Sequence, residues 1–129
     1  MNVKTTSAGW VYIAFAKGDT QGVAVKIGYT NGTIQKRESY NDFVIMEAVG
    51  IEQTDLIHDR VGLLQAVEAC VHWKLAQTGR LVRISNDWFI SSSLDLCELV
   101  EQGILAQIIR NTFSELFPMS QQFFTYYHA

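Results

Sequence analysis

The sequence has little proline, little cysteine and no long apolar run, and each shortage excludes a class of protein. Its 129 residues include one proline and two cysteines, and 48% of them are hydrophobic. Scarce proline with abundant apolar residues argues against a disordered chain and for one globular domain. No run approaches the roughly 18 apolar residues of a membrane-spanning helix, so we expect no membrane partner.

Signals for export are also lacking. Residues 1–7 have no apolar core of the kind that marks a secretory signal peptide. Cys70 and Cys97 lack CxxC spacing and fall inside apolar helical patterns, which favours buried free thiols in a reducing compartment. We therefore expect a cytoplasmic protein.

An excess of positive charge is missing as well, since the net charge is −3. Residues 1–90 hold nine Lys and Arg against nine Asp and Glu, whereas residues 91–129 hold one against four. The acidic charge therefore sits in the C-terminal part, and total charge alone does not indicate a nucleic-acid-binding protein.

The periodicity of apolar residues predicts a small sheet. β-Branched and aromatic residues predict strands at 10–16, 23–29 and 43–51, and a glycine-containing turn makes the first two an antiparallel hairpin. Short extended pieces are expected at 81–84 and 88–90.

Helix-capping residues place the helices between and after these strands. Thr33 is expected to cap a short helix, Thr54 a long helix ending near Gln77, and Ser93 a final helix ending before Pro118. The order β-β-α-β-α-α predicts an α+β fold with a small, mainly antiparallel three-stranded sheet flanked by helices.

One residue of the long helix stands out chemically. Glu68 falls in the middle of an apolar stripe with helical spacing, formed by Ile57, Val61, Leu64, Val71 and Leu75. A carboxylate on a packing face needs a cation, several donors or an open cleft, or else its pKa rises. A simpler interpretation is that Glu68 lies at the margin of the stripe and pairs with a Lys or Arg.

His72 follows Glu68 by one helical turn. A Glu-x-x-x-His pair is weak evidence for a metal site, and no HExxH or Cys/His cluster supports zinc. A hard cation such as Mg²⁺, or Mn²⁺ in its place, suits a single carboxylate that leaves room for waters.

Five segments occur in the order and spacing of one subfamily of GIY-YIG nucleases. They are GWVYI (9–13), VKIGYT (25–30), Arg37, EACVH (68–72) and DWF (87–89). The chain resembles this phage and bacterial subfamily over residues 9–90, and the resemblance implies a metal-dependent endonuclease. Nucleic acid is then the implied partner, with DNA favoured over RNA.

The resemblance also implies roles for single residues. Tyr12 would face the scissile phosphate and help to activate the attacking water, Arg37 would contact phosphate, and Glu68 would bind the metal. Lys26 stands where the superfamily usually has a second tyrosine, and Asn86 is only a candidate for the usual downstream asparagine. Further contacts to nucleic acid are expected from Tyr29 and His72, together with Lys26 and Arg37.

These roles are chemically coherent but have alternatives. Lys26 on the paired strand could favour the phenolate form of Tyr12, and the guanidinium of Arg37 matches phosphate geometry. Equally, Tyr12 could fill a strand face while Lys26 and Arg37 are surface cations. A catalytically weak or inactive nucleic-acid-binding or protein-interaction module, or a purely structural α+β domain, would then be the correct interpretation.

The C-terminal segment, residues 91–129, lies beyond the matched region and ends in an aromatic tail. Four aromatic residues between positions 123 and 127 would leave an apolar patch on a free tail. We expect this segment to dock onto the core or onto a second copy of the chain, with a homodimer favoured.

Overall fold

The computed structural model describes residues 8–91 and 94–129, which form an α+β fold. The strands are β1 (Ala8–Ala16), β2 (Ala24–Thr30), β3 (Phe43–Glu52), β4 (Val82–Arg83), β5 (Trp88–Ile90) and β6 (Phe124–His128). The helices are α1 (Ile34–Ser39), α2 (Arg60–Gln77), α3 (Leu96–Glu101), α4 (Ile104–Leu116) and a 3-10 helix (Pro118–Phe123).

The sheet is antiparallel and larger than predicted. Its six strands lie in the order β4-β5-β2-β1-β3-β6, so the prediction of a three-stranded sheet is wrong. The three predicted strands form the centre, β4 and β5 fall within the short extended pieces expected at 81–84 and 88–90, and β6 is additional. Short strands carry little periodicity of their own, and pairing with β2 and β3 holds them in place.

The two faces of the sheet differ in how they are covered. The face that we call the helical face carries α2, α3 and α4, whose apolar residues pack on Val11, Ile13, Val25, Ile27, Val49 and Ile51. The opposite face, here the open face, carries the shorter helix α1, which buries Ile34 against Tyr12, Ala14, Phe43, Ile45 and Ala48.

Helix α2 begins later than the sequence predicts. Asp59, not Thr54, caps it, and its Oδ1 accepts a hydrogen bond from the Gly62 amide at 2.9 Å. Thr54 instead accepts a hydrogen bond from the Leu56 amide in the preceding turn. Val61, a member of the predicted stripe, is 38% exposed. The buried face of α2 is therefore rotated relative to that stripe, and Glu68 lies at its margin.

The final helix is two helices. A break at Gly103, whose φ is 71°, separates α3 from α4. A positive φ is incompatible with continuing an α-helix and is readily adopted by glycine. Asp95 caps α3, and the cap predicted at Ser93 lies outside the described residues.

The C-terminal segment docks on the rest of the chain. Strand β6 pairs with β3, and α4 packs against α2, where Lys74 forms an ion pair with Glu115 at 2.8 Å. Phe124 contacts the ring of the buried Phe113, with 5.8 Å between centroids. The homodimer stays a prediction.

Two smaller expectations concern membranes and cysteines. Among the described residues, every helix is too short or too polar to cross a membrane. Cys70 and Cys97 are free thiols, and both are half-buried, so neither is as deeply buried as predicted.

Truncation after Pro118 tests the importance of the docked tail. We expect it to lower the free energy of unfolding by about 3 kcal/mol or more, because half-buried aromatic side chains leave the core. Thermal melting measures this loss, with removal of Ala129 alone as the control. Sedimentation of both proteins measures mass per particle, and an unchanged melt and mass would contradict an essential docking role.

Candidate functional site

The candidate site lies at an open edge of β2. Strand β5 pairs with β2 only at residues 24–26. Just beyond, the Ile27 amide donates to the Asp87 carbonyl at 2.9 Å, and the Ile27 carbonyl accepts from His72 Nε2 at 2.7 Å. We call this end of the β2–β5 pairing, at Ile27 and Asp87, the notch. Side chains from both faces of the sheet meet there.

Tyr12 reaches the notch across a glycine. Tyr12 and Gly28 are direct partners in the β1–β2 ladder. A Cβ on Gly28 would lie 2.5 Å from the Tyr12 hydroxyl and from Cζ, so only glycine leaves room for the ring. The ring also stacks on Phe43, with 5.5 Å between centroids. Gly28 thus serves close packing of the Tyr12 ring on β2.

Arg37, on α1, covers the Tyr12 hydroxyl. Its Nε donates to that oxygen at 3.2 Å, and Thr33 fixes the start of α1 by accepting from the Lys36 amide at 3.2 Å. Burial raises the pKa of Tyr12, and the hydrogen bond and charge of Arg37 only partly oppose this. The free protein therefore holds Tyr12 as the neutral phenol.

Lys26 does not have the position predicted for it. Its Nζ lies 2.8 Å from Asp87 Oδ2 and over the rings of Phe43 and Trp88, at 5.6 and 5.8 Å from their centroids. The cation at the Tyr12 hydroxyl is Arg37 instead. The prediction that Lys26 shifts Tyr12 toward phenolate is therefore wrong, because Asp87 draws the ammonium to β5.

Glu68, His72 and Asp87 meet at the same notch. One ligand atom from each lies within 4.8 Å of the others. Burial, and after it the neighbouring Asp87, raise the pKa of Glu68 to about 7, although Lys26, Arg37 and Arg83 oppose the rise. This rise is one of the outcomes that the sequence allowed for a carboxyl on a packing face.

The histidine is held neutral and oriented. Burial lowers the pKa of His72. Its Nε2 must carry the proton, since it faces the Ile27 carbonyl, which leaves Nδ1 as an acceptor 3.5 Å from Arg83 Nη2. His72 therefore fixes the edge of β2, and its Nε2 is not available to bind a metal.

The structure brings together four of the predicted residues. Tyr12, Lys26, Arg37 and Glu68 interact electrostatically around the notch, with His72 beside them. Tyr29 lies on the other side of β2, where its hydroxyl accepts from Gln65 at 2.8 Å. The exposed Asn86 has its carbonyl engaged by Arg83 Nε at 2.7 Å.

Sequence reasoning missed two members of the site. Asp87 belonged to the matched DWF segment, which was its available signal, but no role was assigned to it. Arg83 is placed by the β4–β5 turn, and no sequence pattern pointed to it. In comparisons with known proteins, the chain matches no family model, no curated protein and no solved structure.

Gly28→Ala tests the packing that positions Tyr12. The added methyl would overlap the phenol ring, so we expect unfolding to become easier by about 1–3 kcal/mol. Chemical denaturation measures the change. Gly32→Ala is the matched control, because a Cβ there would meet only Thr30 Oγ1, at 3.7 Å. Equal effects of the two substitutions would show that no tight contact exists at Gly28.

Glu68→Gln tests the desolvated carboxyl in metal-free protein. A folded-state pKa of about 7 against 4.5 means that the folded protein binds more protons, so stability falls as pH rises between these values. We expect the variant to match the parent below this window and to exceed it above, by on the order of 3 kcal/mol.

Urea unfolding across the pH range measures this difference. Glu101→Gln, at an exposed position of α3, controls for the loss of one charge. A parent and Glu68→Gln variant with parallel pH profiles would mean that the Glu68 carboxyl is well solvated.

Proposed function

We propose that this protein is a metal-dependent endonuclease that hydrolyses phosphodiester bonds in nucleic acid, with DNA as the expected substrate. One observation carries the proposal: Glu68 and Asp87 lie together beside the Arg37–Tyr12 pair. Metal-binding oxygens, a phosphate-matching guanidinium and a phenol are the groups that such hydrolysis needs. The GIY-YIG resemblance supports the same activity.

The chemistry of the donors fits Mg²⁺ or Mn²⁺. Burial and the neighbouring Asp87 carboxylate disfavour the charged form of Glu68, and a divalent cation held by the two side chains would relieve this. Hard cations prefer carboxylate oxygens and keep several waters. A bound ion would polarise a phosphate oxygen and acidify a water.

Lys26 has a positioning role in this proposal. Its ion pair with Asp87 holds that carboxylate at the notch, next to Glu68. Its side chain is only 11% exposed, so it is poorly placed to meet a phosphate in solvent. The predicted contact of Lys26 with nucleic acid is replaced here by this indirect role.

Arg37 and Tyr12 provide the contacts to phosphate. Nε of Arg37 donates to Tyr12, and the guanidinium has further N–H groups that can donate to phosphate oxygens. Since Tyr12 is neutral and its oxygen already accepts from Arg37, its own proton is available for donation. Tyr12 therefore fits a donor to a phosphate or leaving oxygen better than a general base.

A second candidate is a binding module without catalysis. The observation that favours it is the complete burial of Tyr12, at 0% exposure beneath Arg37. Access to the hydroxyl then requires Arg37 to move when a phosphate arrives. A chain in which Arg37 stays in place would bind nucleic acid without cleaving it.

Cleavage assays with duplex and branched DNA, and with RNA in parallel, test the proposal. We expect Mg²⁺-dependent cleavage that falls about 100-fold or more in Glu68→Gln, Asp87→Asn and Tyr12→Phe, because each loses a metal ligand or proton donor. Glu101→Gln is the control and should cleave like the parent.

The outcomes separate the alternatives. Undiminished cleavage by Glu68→Gln would show that the metal ligand is misassigned. A parent protein that binds DNA in the presence of Mg²⁺ without cutting it would support the binding module instead.

A further inference from the structure

A cavity of about 420 Å³ lies on the open face of the sheet, next to the candidate site. Strands β1, β3 and β6 form its floor, and the start of α1 with its preceding loop forms one wall. Its lining includes Trp10, Gln35, Glu52, Thr125 and Tyr127. No role in catalysis accounts for this cavity.

The floor of the cavity is built to carry a flat aromatic ring. A Cβ on Gly50 would lie 2.7 Å from Cε3 of Trp10 and 2.7 Å from Cγ2 of Thr125. Glycine at this position therefore lets the indole lie directly on β3. Trp10 and Tyr127 are both half-buried and both border the cavity. They offer aromatic surface at low entropic cost to a planar ligand.

The polar groups of the lining select among planar ligands. Lys and Arg are absent from the described residues that line the cavity, so these residues offer a phosphate no cation. The charged lining residue is Glu52, whose carboxylate only accepts hydrogen bonds. An uncharged ring with two adjacent N–H donors is its best match, and among nucleobases guanine presents such a pair, at N1 and the 2-amino group.

The cavity and the candidate site are joined through two elements. Trp10 and Tyr12 are two residues apart on the open face of β1, which corresponds to about 7 Å along a strand. Gln35 lines the cavity, and Arg37 on the same short helix covers the Tyr12 hydroxyl. A nucleotide with its phosphate at Arg37 can therefore place a neighbouring base against Trp10.

We propose that this cavity binds an unstacked guanine base next to the phosphate that is cleaved. The inference rests on the proposed nuclease function for the identity of that phosphate. A paired base has its Watson–Crick edge occupied and its faces stacked, so only single-stranded or locally unpaired nucleic acid can fill the cavity. The substrate class is then an unpaired strand, a flap or a branch that carries guanine.

Binding of single-stranded oligonucleotides tests the proposal without requiring cleavage. The probes are fluorescent oligo-dT strands that carry one central guanine, hypoxanthine or adenine, measured by anisotropy in EDTA. We expect guanine to bind about 5- to 100-fold more tightly than adenine, as a bidentate contact to a base implies. Hypoxanthine lacks the 2-amino group and should fall between them.

Variants of two lining residues separate stacking from hydrogen bonding. Trp10→Ala should weaken binding of all three probes about 5- to 100-fold through lost stacking, whereas Trp10→Phe should retain most of the affinity. Glu52→Gln should abolish the preference for guanine over adenine while leaving adenine binding unchanged. Trp73→Ala, at a 63% exposed position of α2 outside the cavity, is the matched control.

Each outcome decides the matter. A parent protein that binds the three probes equally, or a Glu52→Gln variant that keeps the guanine preference, would overturn the proposal. If Trp10→Ala fails to fold by circular dichroism, the Trp10→Phe and Glu52→Gln variants still decide. Guanine-specific binding without cleavage would refute the nuclease function alone, and cleavage without base preference would refute this cavity assignment alone.

Discussion

The missing side chain at Gly28 is the constraint on which the site depends. It lets the Tyr12 ring cross β2 and end at the same notch that receives Glu68 and His72 from the other face. With a Cβ there, the ring would be displaced from Phe43 and from the Arg37 guanidinium. Glycine in a strand interior normally weakens it, and here that cost is offset by the packing of two aromatic rings.

Burial drives three ionisable groups of this notch toward their neutral forms. The pKa values of Tyr12 and Glu68 are raised and that of His72 is lowered, and burial is the largest cause in each. Near neutral pH the phenol and the imidazole are uncharged, and Glu68 is close to its midpoint. Groups with pKa values displaced together in this way are typical of functional sites. A divalent cation bound here would favour the ionised form of Glu68, because hard cations prefer carboxylate ligands.

Sequence reasoning recovered what local patterns encode. The three central strands and the Thr33 cap were predicted correctly, because alternation and capping chemistry act over a few residues. The short extended pieces expected at 81–84 and 88–90 contain β4 and β5, but their places in the sheet, strand β6 and the position of Lys26 depend on contacts between distant segments. Lys26 pairs with a residue 61 positions away, and no local pattern reveals which acid will meet it. Asp87 was therefore missed as a site residue for the same reason that Lys26 was misplaced.

The C-terminal segment links charge distribution to substrate binding under the proposed function. Its acidic residues lie at the N-cap of α3 and within α3 and α4, which cover the helical face. Their repulsion disfavours a phosphate backbone on that side. The open face lies opposite and carries Arg37. Strand β6 extends this face and supplies Thr125 and Tyr127 to the cavity. Residues 91–129 therefore influence nucleic-acid binding in two ways under the proposed function. Their acidic residues repel the phosphates from the helical face, and β6 widens the open face on which the nucleic acid would lie.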